Sequence, residues 1–258
     1  DIHVHASQAS FQGIGQNIES GQWNTWFDRY AFPDESRFND IAYAEQAYTR
    51  FAESLLATPT TRLCAYATTS REATEILMKV LAKYGFAGYV GKVNMDRNGS
   101  KALQEESAVV SATDTVRWLN DIAGKYENVK PILTPRFTPS CSDELMSRLA
   151  EIQRAYCLPV QSHLSENKSE IAWVKELCPN TSFYGEAYDQ FGLFGGKTCP
   201  TIMAHCVYSS DAELSLMKDR GVFIAHCPQS NTNLSSGIAP VRRYLEEGLH
   251  IGLGTDIA

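Results

Sequence analysis

Short apolar or β-branched runs recur along the chain, separated by longer stretches whose apolar residues return every three or four positions. The runs lie at residues 2–5, 61–67, 87–93, 129–134, 159–164, 201–206, 222–227 and 251–255, and their length and composition predict buried strands. Between them, residues 41–57, 71–84, 113–126, 142–155, 169–177, 211–220 and 240–247 carry the helical period. Ser142-Asp143-Glu144 opens one helix with a capping hydroxyl and early acids, and Gly85, Gly221 and Gly248 close others. Strands alternating with helices imply an α/β fold with a mostly parallel sheet. Eight strands in 258 residues favour a closed (β/α)8 TIM barrel over an open doubly wound sheet, with residues 1–258 as one domain. Two long irregular segments, 7–38 and 94–112, follow strand ends, where barrel enzymes build their sites.

The histidines give the barrel a chemistry. His3, His5, His163, His205 and His226 each fall at the C-terminal end of a predicted strand, as does Asp256; His250 alone precedes a strand and belongs to the opposite face. In a barrel those C-terminal ends open onto one mouth, so residues far apart in sequence converge. His3 and His5 are two apart on a strand and point to the same side. An H-x-H pair alone is more often incidental; five histidines and an aspartate at one end are not. Three neutral imidazoles and a carboxylate suit zinc or another borderline divalent metal. Glu166 follows His163 by three residues, where a carboxylate can reach water at the metal and shuttle protons. Taken alone it would read as an acid at a helix N-terminus. Cys206 and Cys227 each follow a histidine, and strand alternation turns each to the opposite side, as small packing residues. The H-x-E and P-C-x-x-C signature of the cysteine-liganded zinc deaminases is absent.

Composition narrows the partners. Lysine plus arginine number 23 against 30 acids, a net charge of -7, which argues against a nucleic acid or an anionic membrane. At 43% hydrophobic and 21% charged residues the chain is not a disordered one. The seven cysteines are widely spaced with no C-x-x-C, so a reducing cytoplasm is expected rather than a disulfide framework. No apolar run approaches membrane-spanning length. The chain opens inside a strand at Asp1 and stops at Ala258 after another, so it is expected to be the middle part of a longer protein.

The runs "DIHVHASQ", "GKVNMDRN", "TPRFTPSCS", "LPVQSHLSENKSEI", "YGEAYDQFGLF", "MAHCVYSS" and "HCPQSNTNLSSGIAPVRRYLEEGLHIGLGTDIA" extend along almost the whole chain. Together they resemble the amidohydrolase superfamily and, within it, the guanine deaminases. The H-x-H pair and the terminal aspartate mark only the superfamily; "PRF", "SHLSEN" and "GKVNMDRN" are more specific. The resemblance implies hydrolytic deamination of guanine to xanthine and ammonia by a cytoplasmic homodimer. It implies one zinc per chain, with iron as the alternative, held by His3, His5, His163 and Asp256. His205 would stand beside the reacting water, as a catalytic residue and a long fifth ligand. Glu166 and Asp256 would carry protons. Gln8, Arg136 and Phe137, with His163, Glu166 and Asp256, would bind the purine. His226 would be structural or at the pocket rim. Pro135-Arg136-Phe137 stands where two-metal relatives place a modified lysine, hence the single metal. Relatives also flank the barrel with a small β-sandwich built from both termini. Arg136 carries the substrate choice, since a guanidinium offers only donors and suits guanine's oxo group rather than adenine's amino group. Its structural alternative is a salt bridge to Asp96 or Glu166, and that of Phe137 is a place in the core. The other functional readings are deamination or dechlorination of another heterocycle, such as a modified guanine or a triazine, and an inactive scaffold barrel.

Overall fold

Helix starts are fixed by side chains that satisfy the first free N–H groups. In the computed structural model, which describes residues 1–19 and 22–257, Ser70, Ser142, Asn167 and Ser210 each accept such a bond at a helix start. The helices Ile41–Leu55, Arg71–Lys83, Asp143–Tyr156, Lys168–Leu177, Asp211–Arg220 and Val241–Glu246 stand where the periodicity predicts them. The helix expected over 113–126 instead spans Ala108–Asp121, because the Ser107 hydroxyl accepts from Val110 N and starts it earlier. The expected long loops are also more ordered than their composition suggests. Residues 23–39 form a run of helical turns, and a further short helix, Pro228–Asn233, was not legible. Ser20 and Gly21, inside the first expected loop, and Ala258, at the end of the expected domain, lie outside the described residues.

The strands are β1 (Val4–His5), β2 (Arg62–Tyr66), β3 (Ala87–Gly91), β4 (Val93–Asn94), β5 (Val129–Pro131), β6 (Thr134–Pro135), β7 (Val160–Leu164), β8 (Thr201–His205), β9 (Phe223–His226), β10 (His250–Leu253) and β11 (Asp256–Ile257). Three of the eight predicted strands are broken in the middle. The third divides at Lys92 into β3 and β4, the fourth into β5 and β6, and the eighth at Gly254-Thr255 into β10 and β11. Among the described residues every ladder is parallel, in the orders β11-β1-β2-β3-β5, β10-β9-β8-β7 and β4-β6. The bridge Leu133↔Val160 joins the fourth strand to the fifth. The two halves of the eighth strand pair with β9 and with β1 respectively, so the sheet closes on itself. This is the (β/α)8 barrel, and its helices form the outer layer.

Alternation divides the core in two. Val4, Leu63, Ala65, Val90, Val160, Leu164, Met203 and Ile224 pack outward with helix residues such as Tyr48, Leu77, Trp118, Leu149 and Met217. The inward positions are smaller or polar. Ala204, Ala225 and Cys227 form one inner cluster. Gln161 bonds the Thr134 hydroxyl at 2.9 Å, and the Cys64 thiol donates to Gln161 at 3.0 Å. The backbone comes close here: a Cβ on Gly91 would sit 1.7 Å from Thr134 Oγ1, so only glycine fits. Small side chains at this level leave the barrel's mouth for bulkier functional groups. No helix among the described residues is long and apolar enough to cross a membrane.

Candidate metal centre and active site

His3 and His5 point into the mouth from either side of Val4, which packs against the helices. His163 does the same beside the outward Leu164. His205 and Asp256 get there by another route. In the ladders His205 pairs with Leu164 and Asp256 pairs with Val4, both outward positions. Regular alternation would turn these two side chains toward the helices. Instead each residue is left-handed, with φ of 72° and 67°. The His205 ring thereby stacks on His163 at 5.5 Å, and the Asp256 carboxylate reaches His3 Nε2 at 3.0 Å. Such a backbone costs a non-glycine residue roughly 1–3 kcal/mol and persists where surrounding structure enforces it.

His3, His163, His205 and Asp256 each offer a donor atom within 4.8 Å of the others. His5 adjoins them, with Nε2 3.1 Å from His163 Nε2 and 3.4 Å from Asp256 Oδ1. Ligand atoms about 2.1 Å from a tetrahedral zinc stand roughly 3.4 Å apart, so this spacing suits one ion. The charge states suit it too. Burial lowers the pKa of His3 and holds those of His5 and His163 well below the ordinary imidazole value. Burial opposes ionisation of Asp256, but the His3 hydrogen bond and the surrounding imidazoles hold its carboxyl well below the usual range. His3, His5 and His163 as neutral imidazoles and Asp256 as a carboxylate are in the forms that bind a cation, whereas His205, whose pKa is raised, would release a proton to join them. His163 Nδ1 donates to the Arg136 carbonyl at 2.6 Å, which leaves the Nε2 lone pair facing the cluster. His205 Nδ1 is fixed in the same way by Asn231 Oδ1 at 2.8 Å. His5 Nδ1 is buried with no hydrogen-bond partner among the described residues. The residues therefore fit a metal, and His205 stands within the cluster rather than beyond it.

Glu166 faces the same space. Its Oε2 lies 3.8 Å from His205 Nε2, while Oε1 accepts from the Ser236 hydroxyl at 2.8 Å. It precedes the helix Lys168–Leu177, whose cap is Asn167, so its carboxylate is aimed at the cluster and not spent on the helix. Burial works against a charge on His205, but Glu166 and Asp256 outweigh that and raise its pKa. Behind Glu166 lies a second buried acid that the sequence did not single out. Glu170 accepts from Glu166 N at 2.8 Å and pairs with the Tyr184 hydroxyl at 3.0 Å.

Burial and the neighbouring Glu166 push the Glu170 pKa from 4.5 up to about 8. The folded protein thus keeps a proton that the unfolded chain releases above pH 4.5. The stability tied to that proton is complete below pH 4.5 and is lost as pH rises through about 8. The melting temperature of the wild type should therefore fall relative to Glu170→Gln between pH 5 and pH 8, followed by circular dichroism. A constant difference across that window would mean that Glu170 folds already ionised.

Glu166 shares the lining of a cavity of ≈ 20 Å³ with Gln8, Arg136, Trp26, Phe27 and Leu234. Arg136 pairs with neither Asp96 nor Glu166, the two partners its structural alternative named. Asp96 accepts instead from the backbone and hydroxyl of Ser142. Arg136 makes a buried two-pronged pair with Glu35, at 2.6 and 2.9 Å, and Gln8 Nε2 donates to the same carboxylate at 2.8 Å. Phe27 and Phe32 flank the guanidinium at 5.4 and 5.3 Å. Phe137 is in the aromatic wall behind the cavity, nearly parallel to Phe27 at 6.3 Å. His226 stands apart from the cluster and lines an outer groove with Pro228 and Arg242. Cys206 packs in the outer core and Cys227 in the inner one, each on the side opposite its histidine. Sequence reasoning missed Glu35, Trp26 and Tyr66, whose ring lies 4.5 Å from that of His5.

Over residues 1–258 the chain matches the amidohydrolase family. It is 40% identical to the guanine deaminase of Mus musculus, covering 100% of this chain and 56% of that protein. Against the Escherichia coli guanine deaminase the identity is 32%, covering 100% of this chain and 57% of that protein. The chain thus spans little more than half the length of these relatives. Among solved structures, a guanine deaminase from C. acetobutylicum with bound guanine in the active site superposes with a TM-score of 0.95 at 47% identity, covering 100% of this chain and 60% of that one. A zinc-bound adenosine deaminase from Xanthomonas campestris, at TM-score 0.83 and 20% identity over 99% of this chain and 55% of that one, shares the fold.

Proposed function

Because the chain belongs to the amidohydrolase family, we propose that it is the catalytic barrel of a zinc-dependent guanine deaminase. The observation that carries the reading is that Glu166, Gln8 and Arg136 line one cavity together with His5, His163, His205 and Asp256 of the His/Asp cluster. His3, His5, His163 and Asp256 would hold the ion, with His205 beside them. The chemistry a zinc ion supplies when bound is acidity, since water beside it ionises near pH 7.

The protein's own groups divide the remaining work. Asp256 accepts the proton of the attacking water. Glu166, entering protonated, delivers its proton to the ring nitrogen next to the amino-bearing carbon, which removes aromatic resistance to attack, and recovers one from the new hydroxyl as the carbonyl forms. His205, anchored through Asn231, orients the water. A carbon–oxygen bond forms, the carbon–nitrogen bond breaks, and ammonia leaves with a proton passed on by the carboxylates. Arg136 donates to the oxo group of the ring. The Glu35 carboxylate cancels the charge of Arg136, so the pocket suits a neutral polar heterocycle rather than an anion.

The reading also carries a cytoplasmic location, supported by seven free cysteines, and a homodimer that sedimentation would test. The decisive experiment is ammonia release by the zinc-loaded protein across guanine, adenine, modified guanines and a triazine. Guanine should lead the panel; a leading triazine, or no release from any of them, would overturn the assignment.

A further inference from the structure

We infer that Glu35 sets substrate specificity, as the positioning residue that fixes the donor and acceptor pattern of the pocket. A carboxylate only accepts hydrogen bonds. Gln8 must therefore present its amide NH₂ to Glu35, and its carbonyl oxygen is turned the other way as an acceptor. The same carboxylate takes two of the five N–H donors of Arg136, at 2.6 and 2.9 Å, and holds the guanidinium plane in one orientation. Glu35 and Arg136 are almost wholly buried, their side chains 2% and 2% exposed, so water cannot substitute for either partner. Gln8 and Arg136 both line the cavity, and Glu35 is not among its walls. One acid outside the lining of this cavity thus makes Gln8 an acceptor and Arg136 a donor. Guanine offers the complement, an oxo acceptor and ring N–H donors. Adenine carries an amino donor in place of the oxo group.

This inference rests on the guanine reading, and two substrates separate the two. Guanine and 2-aminopurine share the reactive amino group, but only guanine carries the oxo group. The wild type should prefer guanine in kcat/KM. In Glu35→Gln that preference should shrink by about a hundredfold, through loss on guanine, with metal content retained. A merely structural role would lower both substrates alike and leave their ratio unchanged, and that result would overturn the inference. Removing one member of a buried pair can unfold the site. The double variant Glu35→Gln/Arg136→Met removes both charges and is compared with Arg136→Met alone. If Glu35 acts by orienting Arg136 and Gln8, adding Gln8→Leu to both variants gives them one substrate ratio; a remaining difference would show that it does not. A wild type that releases no ammonia from guanine refutes the function itself, whatever the variants do.

Discussion

His163→Ala should strip the metal from the protein and take guanine turnover to background, at least about a thousandfold down. His163 sits at the centre of the cluster, 3.1 Å from His5 Nε2 and stacked on His205. Its outer nitrogen is tied to the Arg136 backbone carbonyl at 2.6 Å, which holds the ring in place. Alanine removes a ligand whose protonation state and orientation are both preset, and three ligands rarely hold a divalent ion as four do. Metal content by mass spectrometry and ammonia release should fall together. A purified variant with a full complement of metal and full turnover would show that His163 is not a ligand.

The second large effect is expected from Glu166→Gln. Glutamine keeps the size of the side chain and its bond from Ser236, but it cannot carry the proton. General acid–base catalysis is typically worth about a hundred- to ten-thousandfold, and kcat should fall by at least the lower figure. Metal content should hold, because Glu166 Oε2 stands 3.8 Å from His205 Nε2 and its Oε1 is engaged by Ser236. Loss of metal in this variant would move Glu166 into the coordination shell.

Much of this site was legible because barrel strands carry their function at one end. Periodicity located the strands and most of the helices, the Ser142 cap and three glycines marked some of their ends, and four of the five histidines at strand ends meet at the mouth, with His226 apart. What the sequence concealed depends on contacts across long separations. Glu35 lies in "FPDES", a polar stretch beside a proline that reads as a solvated turn. Only its pairing with Arg136, 101 residues away, makes it a buried group. The expected partners of Arg136 were acids near strand ends, but the one that reaches it arrives on a helical turn of the first long segment. The start of the helix Ala108–Asp121 was missed for a smaller reason, since Ser107 caps it ahead of the first clear apolar repeat.

The left-handed ends of β8 and β11 bear on how this centre could be transplanted. A designer who copied the histidines and the aspartate onto the regular strands of another barrel would find His205 and Asp256 aimed at the outer helices. Two backbone torsions have to travel with the side chains. Those torsions also bias what mutation can explore there. Aspartate and asparagine tolerate this conformation better than most residues, and β-branched residues tolerate it worst. Asp256 is therefore suited to its position by torsion as well as by charge, so glutamate, which keeps the acid, is a poor evolutionary neighbour.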